Sequence, residues 1–289
     1  LNTIFWHRSY LLIAHGSRDH RQLLSLTKLT DLLSQQLATN AILDRGKYLV
    51  SNSVITRKQK VVILEKPQLP LVDYACLEFA PLSLAESIVN FARRSQRLGY
   101  RQVVLLPLFL LPGIHVTVDL PIQVNQAQQI LGQEVNLNLC SYLGSYAKMF
   151  ELLRYKFDQF NTQAQDGKIL LAHGSRQKGG NQSCQLLANQ LQATAAYWSG
   201  SRGSQVPPFE GSGDDPLPNL AESVTQLVQQ GKQNLVILPY FLFPGKITDA
   251  IATQVEQLQK DFPGVNLILD EPLGATVELA NLILEGAVQ

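Results

Sequence analysis

Leu11-Leu-Ile-Ala-His-Gly-Ser-Arg18 returns later in the chain as Ile169-Leu-Leu-Ala-His-Gly-Ser-Arg176, an eight-residue match with six identities. A short unbroken apolar run that stops at a glycine reads as a strand buried on both faces and closed by a tight turn. His15 and His173 then stand at the carboxyl ends of strands, where open α/β sheets present their ligands. The recurrence makes the chain a tandem repeat of one α/β unit, with its chemistry expected at the strand tip.

Further landmarks recur in the same order. Leu84-Ala-Glu-Ser87 returns as Leu220-Ala-Glu-Ser223, and Leu106-Pro-Leu-Phe-Leu-Leu-Pro-Gly113 as Leu238-Pro-Tyr-Phe-Leu-Phe-Pro-Gly245. Leu143-Gly144 returns as Leu273-Gly274. The offsets between copies fall from 158 residues at the histidines to 136, 132 and 130, so most of the extra length lies early in the first half. The chain therefore divides into an N-terminal repeat, 1–162, with an insertion at about 40–70, and a C-terminal repeat, 163–289. The insertion, rich in basic and polar residues, is expected to be a surface excursion, either a hairpin or a mobile segment. Residues 200–215, rich in Gly, Ser and Pro without periodicity, are expected to be a loop.

Within the first half, Tyr10–Ala14 is the first predicted strand. Leu23, Leu26, Leu29, Leu33 and Leu37 form one apolar face of a helix over 21–37. Val72–Glu78 is the second strand. Ser83 caps the next helix with Glu86 completing a capping box, and Gly99 ends it. Gln102–Leu111 and Val135–Cys140 are further strands, with a helix starting at Asp119 between them. Strand–helix alternation in this order predicts an α/β fold in which each repeat is a mostly parallel sheet flanked by helices. A functional cleft is expected between the two sheets.

Composition bounds the function. Hydrophobic residues make up 45% of 289 and the formal charge is +1, which gives no electrostatic case for nucleic acid or an anionic membrane. No apolar run approaches the roughly 20 residues that span a bilayer. Leu1–Tyr10 is too short and polar for a secretory signal, and three scattered cysteines show no disulfide or metal spacing, so a reducing, cytoplasmic location is expected. The only methionine is Met149, so the natural start is expected upstream or at an unusual codon. Oligomeric state is not readable beyond a monomer or weak homodimer, since an internal repeat can replace a dimer.

His15, Glu78 and His115 each follow a strand, and two imidazoles with a carboxylate suit a first-row divalent metal. The plain alternative is that His15 bonds its own loop, Glu78 is a solvated strand end and His115 is a surface residue. Pattern alone leaves these two open. The second half keeps His173 but has Ser199 and Lys246 near the positions of the other two, so only the first half holds the full set. The loops Gly16-Ser17-Arg18 and Gly174-Ser-Arg176 offer backbone N–H groups and an arginine each, which suits substrate carboxylates as well as local ion pairs. Lys246 would attract an anion in the same way. No Gly-x-Ser-x-Gly elbow, Gly-x-Gly-x-x-Gly or P-loop is present, which argues against a serine hydrolase and against nucleotide binding.

The His-Gly-Ser-Arg strand tip, Leu77–Ser87, the block Leu106–Pro121 with its His and Asp, and the terminal Leu-Gly together resemble the sirohydrochlorin chelatases in their long, two-repeat form. The resemblance covers nearly the whole chain outside the two excursions. It implies two tandem Rossmann-like chelatase domains and insertion of Fe²⁺ or Co²⁺ into sirohydrochlorin, an anionic tetrapyrrole, for siroheme or cobalamin synthesis. The metal is a substrate, and no tightly bound cofactor is implied. The family's metal-contacting and catalytic residues carry over onto His15, Glu78 and His115. Arg18, Ser17, Gly113, Arg176 and Lys246 are the expected substrate contacts. A non-catalytic tetrapyrrole or metal carrier is the alternative.

Overall fold

A computed structural model describes residues 8–51, 70–160, 163, 165–174, 180–198 and 218–287. Its frame is two four-stranded sheets, all parallel. The first is ordered β2-β1-β3-β4, from β1 (Arg8–Ala14), β2 (Val72–Cys76), β3 (Gln102–Pro107) and β4 (Asn136–Leu139). The second repeats that order as β6-β5-β7-β8, from β5 (Gly167–Ala172), β6 (Thr194–Tyr197), β7 (Asn234–Pro239) and β8 (Asn266–Leu269). Parallel strands need long crossovers, which the helices supply.

Alternation along β1 shows how the layers form. Leu11 and Ile13 point to one core with α2 (Leu84–Arg97) and α3 (Leu120–Leu131), while Tyr10, Leu12 and Ala14 point to another. The second core is shared. It takes in α1 (His20–Ser51), α4 (Met149–Asp158), α5 (Gln182–Gln190) and α8 (Val277–Gly286), together with the facing sides of β5 and β7. A third core lies outside the second sheet, under α6 (Leu220–Gln229) and α7 (Lys246–Asp261). The space between the sheets is thus filled by helices, and the accessible ground lies at the carboxyl ends of the strands rather than between sheet faces.

The halves also exchange their last helices. α4 packs on the second sheet at β7, with Phe157 under the Lys168 ammonium of β5 (5.6 Å) and Lys156 paired with Asp270 after β8 at 2.9 Å. α8 returns to pack on α1, and Gly286 lies so close to Tyr146 that a Cβ there would sit 2.0 Å from the ring. Burying large side chains such as Phe157, at about 1.5–3 kcal/mol each, ties one repeat to the other.

The capping box of Ser83 with Glu86 forms as expected, and the structure adds a second one, Asn219 with Glu222. The insertion differs from its expectation. α1 runs on to Ser51, 32 residues in all, so 40–51 are helical and not part of a hairpin. The leucine stripe stops at Leu37 while the helix, about 48 Å long, continues to Ser51. Periodicity reports the part that packs on a core, not the extent of the helix. The remainder of the insertion and the loop 200–215 lie outside the described residues. Among the described residues, no helix is long and apolar enough to cross a membrane.

Candidate metal centre

In a sheet ordered β2-β1-β3-β4, successive connections leave in opposite directions from β1 and β3, which opens a crevice at the carboxyl ends of those strands. Ala14 is level with Cys76, and Ile13 with Pro107. The chain segments carrying His15, Glu78 and His115 therefore emerge at one rim. Pairing continues just past the strands, with Leu77 N–H donating to the Ala14 carbonyl (2.9 Å) and Glu78 N–H to that of His15 (2.8 Å). Gly16 makes this possible. Its φ is +98°, and a Cβ would lie 2.0 Å from the Glu78 carbonyl oxygen. Only glycine lets the two loops approach so closely.

His115 arrives differently. After Pro107, Leu108 N–H donates to the Ile13 carbonyl at 2.7 Å, and the chain turns at Gly113 into one π-helical turn, His115–Asp119, before α3. The wider turn sets His115 beside Asp119, with Nδ1 and Oδ2 2.8 Å apart. Such a bond holds the ring and leaves Nε2 directed outward, as metal-binding histidines are held by carboxylates. His15 Nδ1 lies 3.2 Å from the Gly16 carbonyl, which fixes that ring in the same sense when Nδ1 carries the proton.

The outcome is a compact trio. One ligand atom each from His15, Glu78 and His115 lie within 4.8 Å of one another, and the imidazole centroids are 4.7 Å apart with the rings nearly perpendicular. Metal bonds of about 2.0–2.2 Å would need these atoms within roughly 3.5–4 Å of each other, a small side-chain adjustment. Three ligands leave coordination positions open, as transfer of an ion requires and a closed structural site forbids. Glu78 is exposed and His115 half-buried. Beside them is a recess of about 280 Å³ lined by Leu77, Glu78, Ser83, His115, Asp119 and Ile122, among others. A larger recess of about 470 Å³, lined by Arg93, Arg94 and Arg97, contains none of the trio.

The other expected contacts are scattered in role. The Ser17 hydroxyl accepts from Asp19 N–H at 3.0 Å and shapes the turn into α1. Arg18 is exposed, its guanidinium 5.1 Å above the Phe79 ring. The Gly113 carbonyl accepts from the Val116 and Thr117 N–H groups at 3.0 and 3.1 Å. Lys246 opens α7 directly after Gly245, whereas Arg176 and Ser199 lie outside the described residues. His173 repeats the local geometry of His15, with Nδ1 3.1 Å from the Gly174 carbonyl and Gly174 at φ +77°. Among the described residues it joins no second trio of ligands.

Sequence reasoning missed the π turn, the bond from His115 to Asp119 and the position of Phe79. The spacing of four between His115 and Asp119 was the available signal, since on any helical turn such residues are neighbours. The Arg21 guanidinium at the start of α1 grips both Asp19 beside it and Asp249 of α7, at 2.6 Å each. Hydrogen bonds from Arg21 hold the Asp19 carboxyl down at about 2 and lower that of Asp249.

The fold is similar to that of the sirohydrochlorin chelatase SirB from Bacillus subtilis subspecies spizizenii in complex with cobalt, at 17% identity and TM-score 0.59, covering 97% of this chain and 94% of that one. SirB from Bacillus subtilis with Fe³⁺ is similar at 15% identity and TM-score 0.62, with coverage of 96% and 93%. In sequence, the sirohydrochlorin cobaltochelatase of Priestia megaterium is 24% identical over 223 residues, 75% of this chain and 68% of that protein. The chloroplastic sirohydrochlorin ferrochelatase of Arabidopsis thaliana is 29% identical over 111 residues, 38% of this chain and 45% of that protein. The CbiX pattern matches 58–160 and again 167–289, so that β1 and His15 precede the first match while β5 and His173 fall inside the second. A pattern met twice in one chain, once over each half of a doubled parallel-sheet scaffold, settles the relationship, and the chain belongs to the CbiX family.

Proposed function

We propose that this protein inserts Fe²⁺ or Co²⁺ into sirohydrochlorin, in siroheme or cobalamin biosynthesis, with His15, Glu78 and His115 holding the ion. The observation that carries the reading is the convergence of these side chains, within 4.8 Å, at the crevice where β1 and β3 part. Membership of the CbiX family and likeness to chelatases that act on sirohydrochlorin support the substrate.

Metallation replaces two pyrrole N–H protons by one divalent ion, so the enzyme must hold the macrocycle, present the ion and take away two protons. Neutral imidazoles bind borderline divalent metals and accept protons near neutral pH, and Glu78 offsets the charge of the ion or receives a proton. A recess of about 280 Å³ is below the roughly 300–1,000 Å³ that encloses a drug-sized ligand. The macrocycle therefore lies over the trio rather than inside the protein. Its carboxylates are met by Arg18 and Arg176 in the two strand-tip loops and by Lys246, with Ser17 and Gly113 lining the approach. The substrate metal is the only ion required, and we read the working unit as a monomer or weak homodimer. Free Cys76, Cys140 and Cys184 support a reducing, cytoplasmic setting.

The test is anaerobic metallation of sirohydrochlorin with Fe²⁺ and Co²⁺ in turn, followed by the absorbance of the macrocycle. Acceleration over the protein-free rate with at least one ion is expected. Equal rates with and without protein, for both ions, would overturn the reading.

A further inference from the structure

Phe79, the residue after Glu78, has φ +56°, and among the described residues only Gln192 shares a positive φ without being glycine. For Gln192 a local reason exists, since it follows α5 where helices commonly end in this conformation. Phe79 has none. A bulky side chain there meets steric resistance, and burial does not offset it because Phe79 is 56% exposed. The conformation is imposed by the lacing of Leu77 and Glu78 onto Ala14 and His15 and by the close approach of Gly16. Strain of this kind, held in place beside a reactive centre, is where a functional contact is to be sought.

The surroundings say which contact. The Arg18 guanidinium stands 5.1 Å from the ring centroid, so a cation and an aromatic face are presented together. Leu82, Ile114, Val118 and Ile122, on the segments that bring Glu78 and His115 to the rim, are also exposed, at 44–52%. A metal trio rimmed by apolar side chains, one aromatic face and one guanidinium fits a flat conjugated ring system edged with carboxylates.

We propose that Phe79 is a stacking platform for the face of the macrocycle and that Arg18, stacked on it, receives one of the macrocycle's carboxylates. The proposal rests on the chelatase reading above and adds a substrate contact to it.

The experiment titrates metal-free sirohydrochlorin into the wild-type protein and into Phe79→Ala, Phe79→Gly and Phe79→Tyr, following macrocycle fluorescence. A parallel titration uses Co²⁺ alone. Loss of one aromatic stacking contact is expected to weaken macrocycle binding about tenfold in the Ala and Gly variants. Tyr, which keeps the face, should bind within about twofold of wild type, and Co²⁺ affinity should be unchanged in all. Phe79→Gly should also raise the melting temperature by about 2 °C, because glycine adopts the left-handed conformation freely. Wild-type macrocycle affinity in the Ala and Gly variants would overturn the platform, as would a Tyr variant as weak as Ala. If wild type metallates sirohydrochlorin while Phe79→Ala is unimpaired, the platform alone fails. If wild type neither binds nor metallates it, the chelatase reading fails first.

Discussion

The two strand tips after β1 and β5 match closely at His-Gly, yet among the described residues only the first sits in a metal-competent trio. Both end in His-Gly, both glycines have positive φ, and both imidazoles face the carbonyl of the next residue at 3.1–3.2 Å. What differs is what the neighbouring strands deliver. Beside His15 stand Glu78 and His115, whereas at the offset of 132 the residue matching His115 is Ile247. The backbone differs there too. The offset falls from 132 at Gly113 and Gly245 to 130 at Asn136 and Asn266, so the first half is two residues longer in the segment that holds the π turn. α7 instead begins directly at Lys246. The scaffold is common to both halves, and among the described residues the convergence of ligand atoms comes from a few side chains and a segment two residues longer in one copy.

The largest effect follows from that contrast. His15→Ala and His115→Ala should each lower metallation by at least about a hundredfold, the scale of losing a proton acceptor, with the metal role in addition. His173→Ala should change turnover by less than about threefold, and metal titration should give one ion per chain. Equal losses in His15→Ala and His173→Ala, with two ions bound, would make the second half catalytic and erase the comparison.

A smaller effect tests the π turn. Asp119 touches Nδ1 of His115, so on the proposed reading it positions the ring without meeting the ion. Asp119→Ala should weaken Co²⁺ binding about 10–100-fold, read by titration of the metal alone, with Asp119→Asn recovering part of the loss. Co²⁺ affinity equal to wild type in Asp119→Ala would show that the turn does not serve the centre.

The glycines sharpen the comparison on the side of stability. Alanine at either Gly16 or Gly174 is strained by the positive φ, but the space differs. At Gly16 the new methyl would meet the Glu78 carbonyl at 2.0 Å, while at Gly174 the nearest atom, on Tyr197, is 3.5 Å away. Gly174→Ala should cost about 1 kcal/mol from backbone strain alone. Gly16→Ala should cost more, about 2–4 kcal/mol, because it also pushes the β1 and β2 tips apart. Denaturant unfolding of both variants is the measurement, and equal midpoints would show that the first loop is not held as tightly as the geometry indicates.

Much of this was legible in the residues. The repeat and the strand tips could be read because buried strands are continuous apolar runs. His15, Glu78 and His115 each follow one, but pattern alone leaves their role open, and only the resemblance to the chelatases joins them into a set. The capping box of Ser83 with Glu86 was legible because it is a local chemical pairing. The extension of α1 to Ser51 was not, since the part beyond Leu37 carries no apolar stripe. The exchange of α4 and α8 was not legible either, because an amphipathic helix records that it has a buried face and not which sheet covers it. Phe79 escaped for a third reason, in that its φ is set by Gly16 and β1, more than sixty residues away in sequence.

The smallest expected effect concerns the contact that joins the two tips. Arg21 bridges Asp19 in the first half and Asp249 in the second, and it lowers both carboxyl groups, that of Asp19 to about 2. A carboxyl whose folded value lies below its unfolded one, about 3.9, adds stability that is present above the unfolded value. That stability is lost as pH falls toward the folded value. The clasp should therefore be intact above about pH 4 and dissolve between about pH 4 and 2. Arg21 and Asp249 are open to solvent while the Asp19 side chain is mostly covered. The screened pair limits the effect, so Arg21→Ala should lower the melting temperature only slightly at neutral pH, and less in high salt. The gap between wild type and Arg21→Ala should narrow as the pH is taken from 4 toward 2. A gap that stays constant through that window, or widens, would mean that Arg21 joins the halves by packing alone and that the ion pairs contribute nothing to it.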